Sequence, residues 1–306
     1  MRILQKFNFF IYTTFFILYL LLSISNLIAQ QKIKIAIWGD SRENLDNACE
    51  NIAGILLNDI TDWDFQIHTG DFTHDGSEKS WKKSLNYNGI NKLFVKGKMF
   101  LSTSNHEFED AYSKDNWVKY TAGILPQNSA DNTTHFYAYH IANVHVIFCD
   151  AYVTDKTEMQ KWLDNYLNKV KDDEWLIGVW HNPSYDNLSY KESYLETCLP
   201  WLKSLYKHKC KFVINGHAHV YIRSKPLNPE GDIDNINGIV HIVNGTGGAS
   251  FKDPVDKSSI IDFSPSVKSF PVITFLTING NKAHLETVDA RDKSKLQLID
   301  KMDYEK

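Results

Sequence analysis

Five times along this 306-residue chain an apolar, β-patterned run ends and, within three residues, a side chain able to hold a metal follows. Ile33, Ile35 and Ile37 alternate into Trp38-Gly39 and Asp40, and Phe65–His68 runs into Thr69-Gly70-Asp71. The run 98–102 leads to Asn105, the run 174–180 to His181, and Phe212-Val213-Ile214 to Gly216-His217-Ala218-His219. Alternation at period two marks strands. In open α/β sheets, ligands gather outside the carboxyl ends of strands. Groups far apart in the chain can therefore meet at one place.

Between these runs the apolar spacing changes to that of helices. Residues 44–59 carry Leu45, Ala48, Ile52, Ile55 and Leu56 at helical intervals, and 77–92 and 194–207 read the same way. Residues 157–170 form an amphipathic helix with Met159, Trp162, Leu163 and Leu167 on one face. Residues 135–139 and 143–150 read as paired strands. Strands follow at 238–243, 272–278 and 283–288, the last two joined by an Asn279-Gly280 turn signal. The polar stretch 291–306 reads as a loosely held tail, and 30–290 as one domain, without repeats or low-complexity linkers.

Residues 1–29 stand apart. Arg2 and Lys6 precede an apolar run to Leu22, and a more polar segment ends at Ala29-Gln30, the plan of a secretory signal peptide. An uncleaved membrane anchor is the alternative, since 9–28 nearly spans a bilayer. Ser23, Ser25 and Asn26 shorten the apolar run and favour cleavage and export. The remainder then holds 31 basic and 37 acidic residues, a net −6. Such a chain has no general pull toward nucleic acid or an anionic membrane surface, so any affinity for phosphate must be local. An exported chain permits disulfides, and of Cys49, Cys149, Cys198 and Cys210 the pair Cys198–Cys210 is the expected bridge.

Carboxylate, amide oxygen and imidazole are ligands for zinc, manganese and iron rather than calcium. Asp40, Asp71, His74, Asn105, His181, His217 and His219 exceed what one tetrahedral ion takes, and suit two ions sharing a carboxylate. Two ions roughly 3.5–4 Å apart clamp the attacking and leaving oxygens of an in-line displacement, which makes small phosphate esters the natural substrates.

Gly70-Asp71, Asn105-His106-Glu107, His181 and Gly216-His217-Ala218-His219, in this order, resemble the calcineurin-like metallophosphoesterase superfamily. Its purple acid phosphatase branch is suggested by Val220-Tyr221-Ile222-Arg223 after the histidines, by Gln160-Lys161-Trp162-Leu163 and by Asn244-Gly245-Thr246-Gly247-Gly248. The resemblance implies a two-sheet, four-layer α-β-β-α sandwich with a dinuclear metal centre of iron, zinc or manganese ions. In it Asp71 bridges the ions, Asp40 and His219 bind the first, and Asn105, His181 and His217 bind the second. His106 stands over the leaving-group oxygen as general acid or charge stabiliser.

This chain departs from the pattern at three positions. Arg42 stands where many members carry a histidine, His74 where purple acid phosphatases carry a tyrosine, and Ser104 where glycine is usual. His74 is then expected to replace the tyrosine on the first ion. Arg42 either contacts substrate phosphate, whose geometry guanidinium matches, or pairs with Glu43 or Asp46. Asp40 read alone is a helix cap for 44–59. His68, His135, His140, His145, His208 and His241 read as core or surface residues rather than ligands. The implied reaction is phosphomonoester hydrolysis by a metal-bound hydroxide. The alternatives are a phosphodiesterase, for cyclic nucleotides or similar diesters, and a metal-binding relative without turnover.

Overall fold

A computed structural model describes residues 31–126, 134–152, 155–189, 194–253 and 258–306. The expected signal peptide and its cleavage point lie outside the described residues, among which no helix is long and apolar enough to cross a membrane. The strands are β1 (Ile33–Trp38), β2 (Phe65–His68), β3 (Met99–Leu101), β4 (Tyr137–Ile141), β5 (Val144–Phe148), β6 (Trp175–Val179) and β7 (Phe212–Asn215). They continue as β8 (Tyr221–Leu227), β9 (Ile239–Asn244), β10 (Ile261–Phe263), β11 (Val272–Asn279), β12 (Lys282–Asp289) and β13 (Leu298–Glu305). One sheet has the order β13-β12-β11-β1-β2-β3, and the other β10-β8-β9-β7-β6-β5-β4. Within them β1, β2 and β3 run parallel, as do β5, β6, β7 and β9.

The helices are α1 (Ala48–Gly54), α2 (Glu78–Leu85), α3 (Ile90–Leu93), α4 (Ser113–Thr121), α5 (Lys156–Leu167) and α6 (Leu195–Lys207). Alternation along each strand assigns the layers. Phe65 packs against Tyr139 of the opposite sheet at 5.1 Å between ring centroids, while its neighbour Gln66 donates to the Leu93 carbonyl in α3. Ile147, Leu176, Val213 and Val243 cover the outer face of the second sheet beneath Met159, Leu163 and Leu167 of α5 and Trp201, Leu202 and Leu205 of α6. The result is the expected four-layer α-β-β-α sandwich. Its core is filled by buried side chains worth roughly 1.5–3 kcal/mol each.

The expected helix over 44–59 is shorter and irregular. Asn44, Asp46 and Asn47 take left-handed φ values of 51°, 55° and 58°, so α1 begins only at Ala48, and 55–59 widens into a π-helical turn. Asp40 does not cap it. The helix expected over 77–92 is two, divided at Gly89, whose φ of 84° suits glycine. Ser77 caps α2 by accepting from the Ser80 amide, and Asp155 caps α5 by accepting from Thr157 and Glu158.

Two expectations are overturned. The stretch 291–306 is not a loose tail: Leu298–Glu305 pairs along β12 as an edge strand. Only its inner face is covered, and that face begins with Asp300, which accepts from Arg223 at 2.8 and 2.9 Å and from the Tyr221 hydroxyl at 2.8 Å. A buried acid on a half-covered strand erases the apolar alternation that would have announced it. The Cys198–Cys210 bridge is absent, and all four cysteines are buried thiols. Cys210 Sγ donates toward the Leu176 and Phe212 carbonyls at 3.3 Å, while Cys198 Sγ turns to the Leu195 carbonyl one helical turn back.

His241 of β9 is fully buried beside Tyr185, and neither ring nitrogen has a hydrogen-bond partner among the described residues. Burial pushes its pKa down to about 3. The unfolded chain binds this proton near pH 6.5 and the folded chain does not, so stability is lost as pH falls through that window. His241→Phe is expected to remove about 2 kcal/mol of the stability difference between pH 7 and pH 5. Urea denaturation of both proteins at the two pH values measures it; equal losses would contradict this account.

Candidate metal centre

The carboxyl ends of both parallel runs lie at the same edge of the sandwich, and each ends in a tight turn. Asp40, Asp71, His217 and His219 all take left-handed backbone conformations, with φ of 57°, 53°, 65° and 54°. Such conformations are costly for residues other than glycine and cluster where side chains must be aimed. Backbone hydrogen bonds lock the turns together: Asp40 N donates to Gly70 O (2.9 Å), Arg42 N to Asp71 O (3.1 Å), Gly216 N to His181 O (2.7 Å) and Ala249 N to Asp40 O (2.7 Å).

Ligand atoms of Asp40, Asp71 and His219 lie within 4.8 Å of one another. His219 Nε2 is 3.5 Å from Asp40 Oδ1, and His181 Nε2 is 3.2 Å from Asp71 Oδ1 and from His217 Nδ1. Carbonyl oxygens only accept, so His181 Nδ1 must donate to Thr69 O (2.8 Å) and His219 Nδ1 to Ser250 O (2.9 Å). With Nδ1 so committed, each ring turns its Nε2 onto a carboxylate, His181 toward Asp71 and His219 toward Asp40. A ring nitrogen facing a carboxylate in this way is satisfied by a proton or by a metal ion held between the two. The Asn105 side-chain oxygen is buried with no hydrogen-bond partner among the described residues, a further donor of electron pairs held ready. Close space for these groups is kept by glycine: a Cβ on Gly216 would strike Asp40 Oδ2 and Thr69 Oγ1, and one on Gly245 would lie 2.9 Å from Asp40 Oδ2. A pair of transition-metal ions suits this donor set.

The charges of the protein alone tell the same story. Burial, with Asp71 nearby, raises Asp40 to about 7 against the pull of His181 and Arg42. Burial also opposes ionisation of Asp71, but His181, His106 and Arg42 outweigh it and hold that carboxyl well below the usual range. Burial lowers His181, yet Asp71 and Asp40 overcome it and raise the ring to about 9, a proton taking the cation's place.

The last expected ligand to place is His74. It is exposed, its amide donates to Ser80 Oγ (3.0 Å), and its ring stacks on His106 with centroids 6.0 Å apart. The chain beyond Asp71 is already turning toward α2, which carries the ring outward. Arg42 takes the acid-pairing alternative, with Asp71 as well as Glu43. Nη1 pairs with Asp71 Oδ2 at 3.0 Å, and Nε lies 3.8 Å from Glu43. It orients the Asp71 carboxylate. His106 Nδ1 donates to His74 O (2.7 Å) and lies 2.9 Å from Glu109, leaving Nε2, 3.8 Å from Asp71 Oδ2, as its working atom.

Glu107 is the residue sequence spacing passed over. Fully buried, it accepts from the amides of Asp71 (3.1 Å) and Thr73 (2.8 Å), and so clamps the turn that presents Asp71. Burial and the neighbouring Asp71 push its carboxyl up to about 7. Ser104 Oγ accepts the Asp71 amide (2.9 Å) and lies against Asp71 Oδ1 (2.6 Å) and Glu107 Oε2. Its backbone has no positive φ, so serine is accommodated where glycine was the reference. The signal for Glu107 was its place directly after Asn105-His106. Arg223 serves the fold, through its pairs with Asp300 and Asp262.

The sequence profile of the calcineurin-like phosphoesterase family matches residues 33–221. Purple acid phosphatase 15 of Arabidopsis thaliana is 32% identical over 169 residues, which cover 52% of this chain and 31% of that protein. The chain thus spans about a third of that relative's length. Among solved structures, purple acid phosphatase PPD1 from yellow lupin (Lupinus luteus) seeds aligns with a TM-score of 0.66 at 16% identity, over 90% of this chain and 54% of that one. GAP50, the anchor in the inner membrane complex of Plasmodium, aligns with a TM-score of 0.63 at 14% identity, over 90% and 89%. These two structures share the fold.

Proposed function

Since this chain belongs to the calcineurin-like phosphoesterase family, we propose that it is an exported hydrolase of small phosphate monoesters, with two iron, zinc or manganese ions at the strand-end site. The observation that carries the reading is the pair of Nε2 atoms, on His181 and His219, fixed by carbonyl acceptors at Nδ1 and aimed at Asp71 and Asp40. Asp71 would be shared between the ions, with Asp40 and His219 on one side and Asn105, His181 and His217 on the other. When bound, the ions supply Lewis-acid charge and water acidified to near neutrality.

The chain's own residues do the rest. Arg42 and Ser104 hold the Asp71 carboxylate in one orientation, and Glu107 holds its backbone amide. His106 keeps its Nδ1 proton on the His74 carbonyl, so the doubly protonated ring would pass its second proton, on Nε2, to a departing alkoxide oxygen and be left neutral. His74 is exposed and stacked on that ring. The second reading, a metal-binding relative without turnover, draws on Arg42: a fixed guanidinium already neutralises part of the Asp71 charge.

A chromogenic monoester and diester panel decides among these. The expected result is monoester turnover that falls by about 100–1,000-fold in His106→Ala with metal content unchanged. Turnover confined to diesters would replace the substrate class, and none with metal bound would favour the second reading. Export rests on the segment 1–29; material recovered outside the cell should begin at Gln30, and an intact Met1 would contradict it.

A further inference from the structure

At the opposite end of the second sheet, away from the strand-end site, three metal-capable side chains converge. β4 and β5 pair antiparallel with His140 directly across from His145. Side chains so paired stand about 4.5–5.5 Å apart at Cβ, and here the two rings stack in parallel with centroids 4.0 Å apart. Glu174 immediately precedes β6, the neighbour of β5, and places Oε2 3.2 Å from His145 Nε2. One ligand atom from each of the three residues lies within 4.8 Å of the other two.

The distal atoms are already arranged as a metal site needs them. His140 Nε2 donates to the Ala142 carbonyl (2.8 Å), so its Nδ1 keeps a lone pair. His145 Nδ1 contacts the Tyr166 hydroxyl at 2.8 Å, a partner whose oxygen can accept from Nδ1–H when Nε2 turns to an ion. Glu174 is steadied by the Lys171 amide at 2.9 Å, with the Lys171 ammonium 3.9 Å from its other oxygen. Metal-bound histidines commonly donate their second nitrogen in this way. Around an ion with arms of about 2.0–2.1 Å, tetrahedral ligands lie about 3.3 Å from each other, close to the observed 3.2 Å. His145 is buried while His140 is exposed, so the group is fixed on one side and open to solution on the other. Burial and the neighbouring His140 also lower the His145 pKa, which favours the neutral ring that binds metals.

We propose that His140, His145 and Glu174 form a second, peripheral site for one divalent transition-metal ion of the zinc or copper(II) type, with an open position for water. Two imidazoles and a carboxylate are the donor set for such ions, and poor for magnesium or calcium. The test is zinc binding to the full chain after chelator treatment, read by equilibrium dialysis with elemental analysis. His140→Ala and Glu174→Gln are each expected to bind one zinc ion fewer than the unsubstituted chain at saturation, with hydrolysis unchanged. Copper(II) added to the unsubstituted chain with its strand-end centre already filled by zinc should show couplings to two nitrogens in its electron paramagnetic resonance spectrum, of which His140→Ala loses one. Equal zinc stoichiometry in all three proteins would overturn the proposal. So would a parallel loss of hydrolysis, which would place the missing ion in the strand-end centre.

Discussion

Replacing Asp71 by asparagine is expected to lower phosphate-ester hydrolysis by more than about 100-fold while the chain stays folded. Losing an outer-shell partner of a metal ligand typically costs about 10–100-fold, and Asp71 stands closer to the chemistry than that. It is the acidic group on which the site converges: Arg42 at 3.0 Å, His181 at 3.2 Å, His106 at 3.8 Å and the Ser104 hydroxyl at 2.6 Å all address its two oxygens. Asparagine keeps the shape and removes the charge, so Arg42 and His181 lose their counter-ion and the two sets of ligands lose the group that joins them. Circular dichroism should be unchanged, and metal content should fall with the rate. Hydrolysis retained within a few-fold would remove Asp71 from its role.

Gly70→Ala should be nearly as damaging by a different route. Gly70 adopts φ of 103°, a conformation L side chains rarely take, and a Cβ there would lie 2.6 Å from His181 Nδ1 and 2.8 Å from Ser104 Cβ. Neither neighbour can give way: His181 Nδ1 is tied to Thr69 O, and Ser104 Oγ holds the Asp71 amide. Backbone strain of about 1–3 kcal/mol and overpacking of about 1–3 kcal/mol together predict a loss near 4 kcal/mol in denaturation. Because the Gly70 carbonyl also receives the Asp40 amide, the displacement reaches Asp40, Asp71 and His181 together. A shift of about 1 Å in such groups costs on the order of 100-fold in rate. An alanine variant of unaltered stability and activity would show that the turn is looser than its contacts indicate.

Much of the framework could be read before any coordinates. Parallel strands bring their carboxyl ends to one edge, so Asp40, Asp71, Asn105, His181, His217 and His219 were legible as strand-end residues. The alternating runs that precede them are the buried strands of two sheets. What stayed hidden depends on where side chains turn in three dimensions. Arg42 could pair with any of several acids, and only the turn geometry brings it to Asp71 rather than Asp46. His74 has the right spacing after Asp71, but the path toward α2 takes its ring to the surface beside His106. Glu107 is polar and buried, and its two amide partners lie 34 and 36 positions earlier, beyond any local pattern. The edge strand β13 carries Asp300 where an apolar residue was the signal sought. His140 and His145 looked like ordinary strand residues because their cross-strand partnership is a matter of register.

The account turns on whether cations sit among those carboxylates and imidazoles and do the work. Removal of metal from the full chain by a strong chelator, with bound ions and monoester turnover followed together, tests this most directly. Turnover should vanish as the ions leave and return when zinc, manganese or iron is restored. Undiminished turnover by protein shown to be free of metal would contradict it.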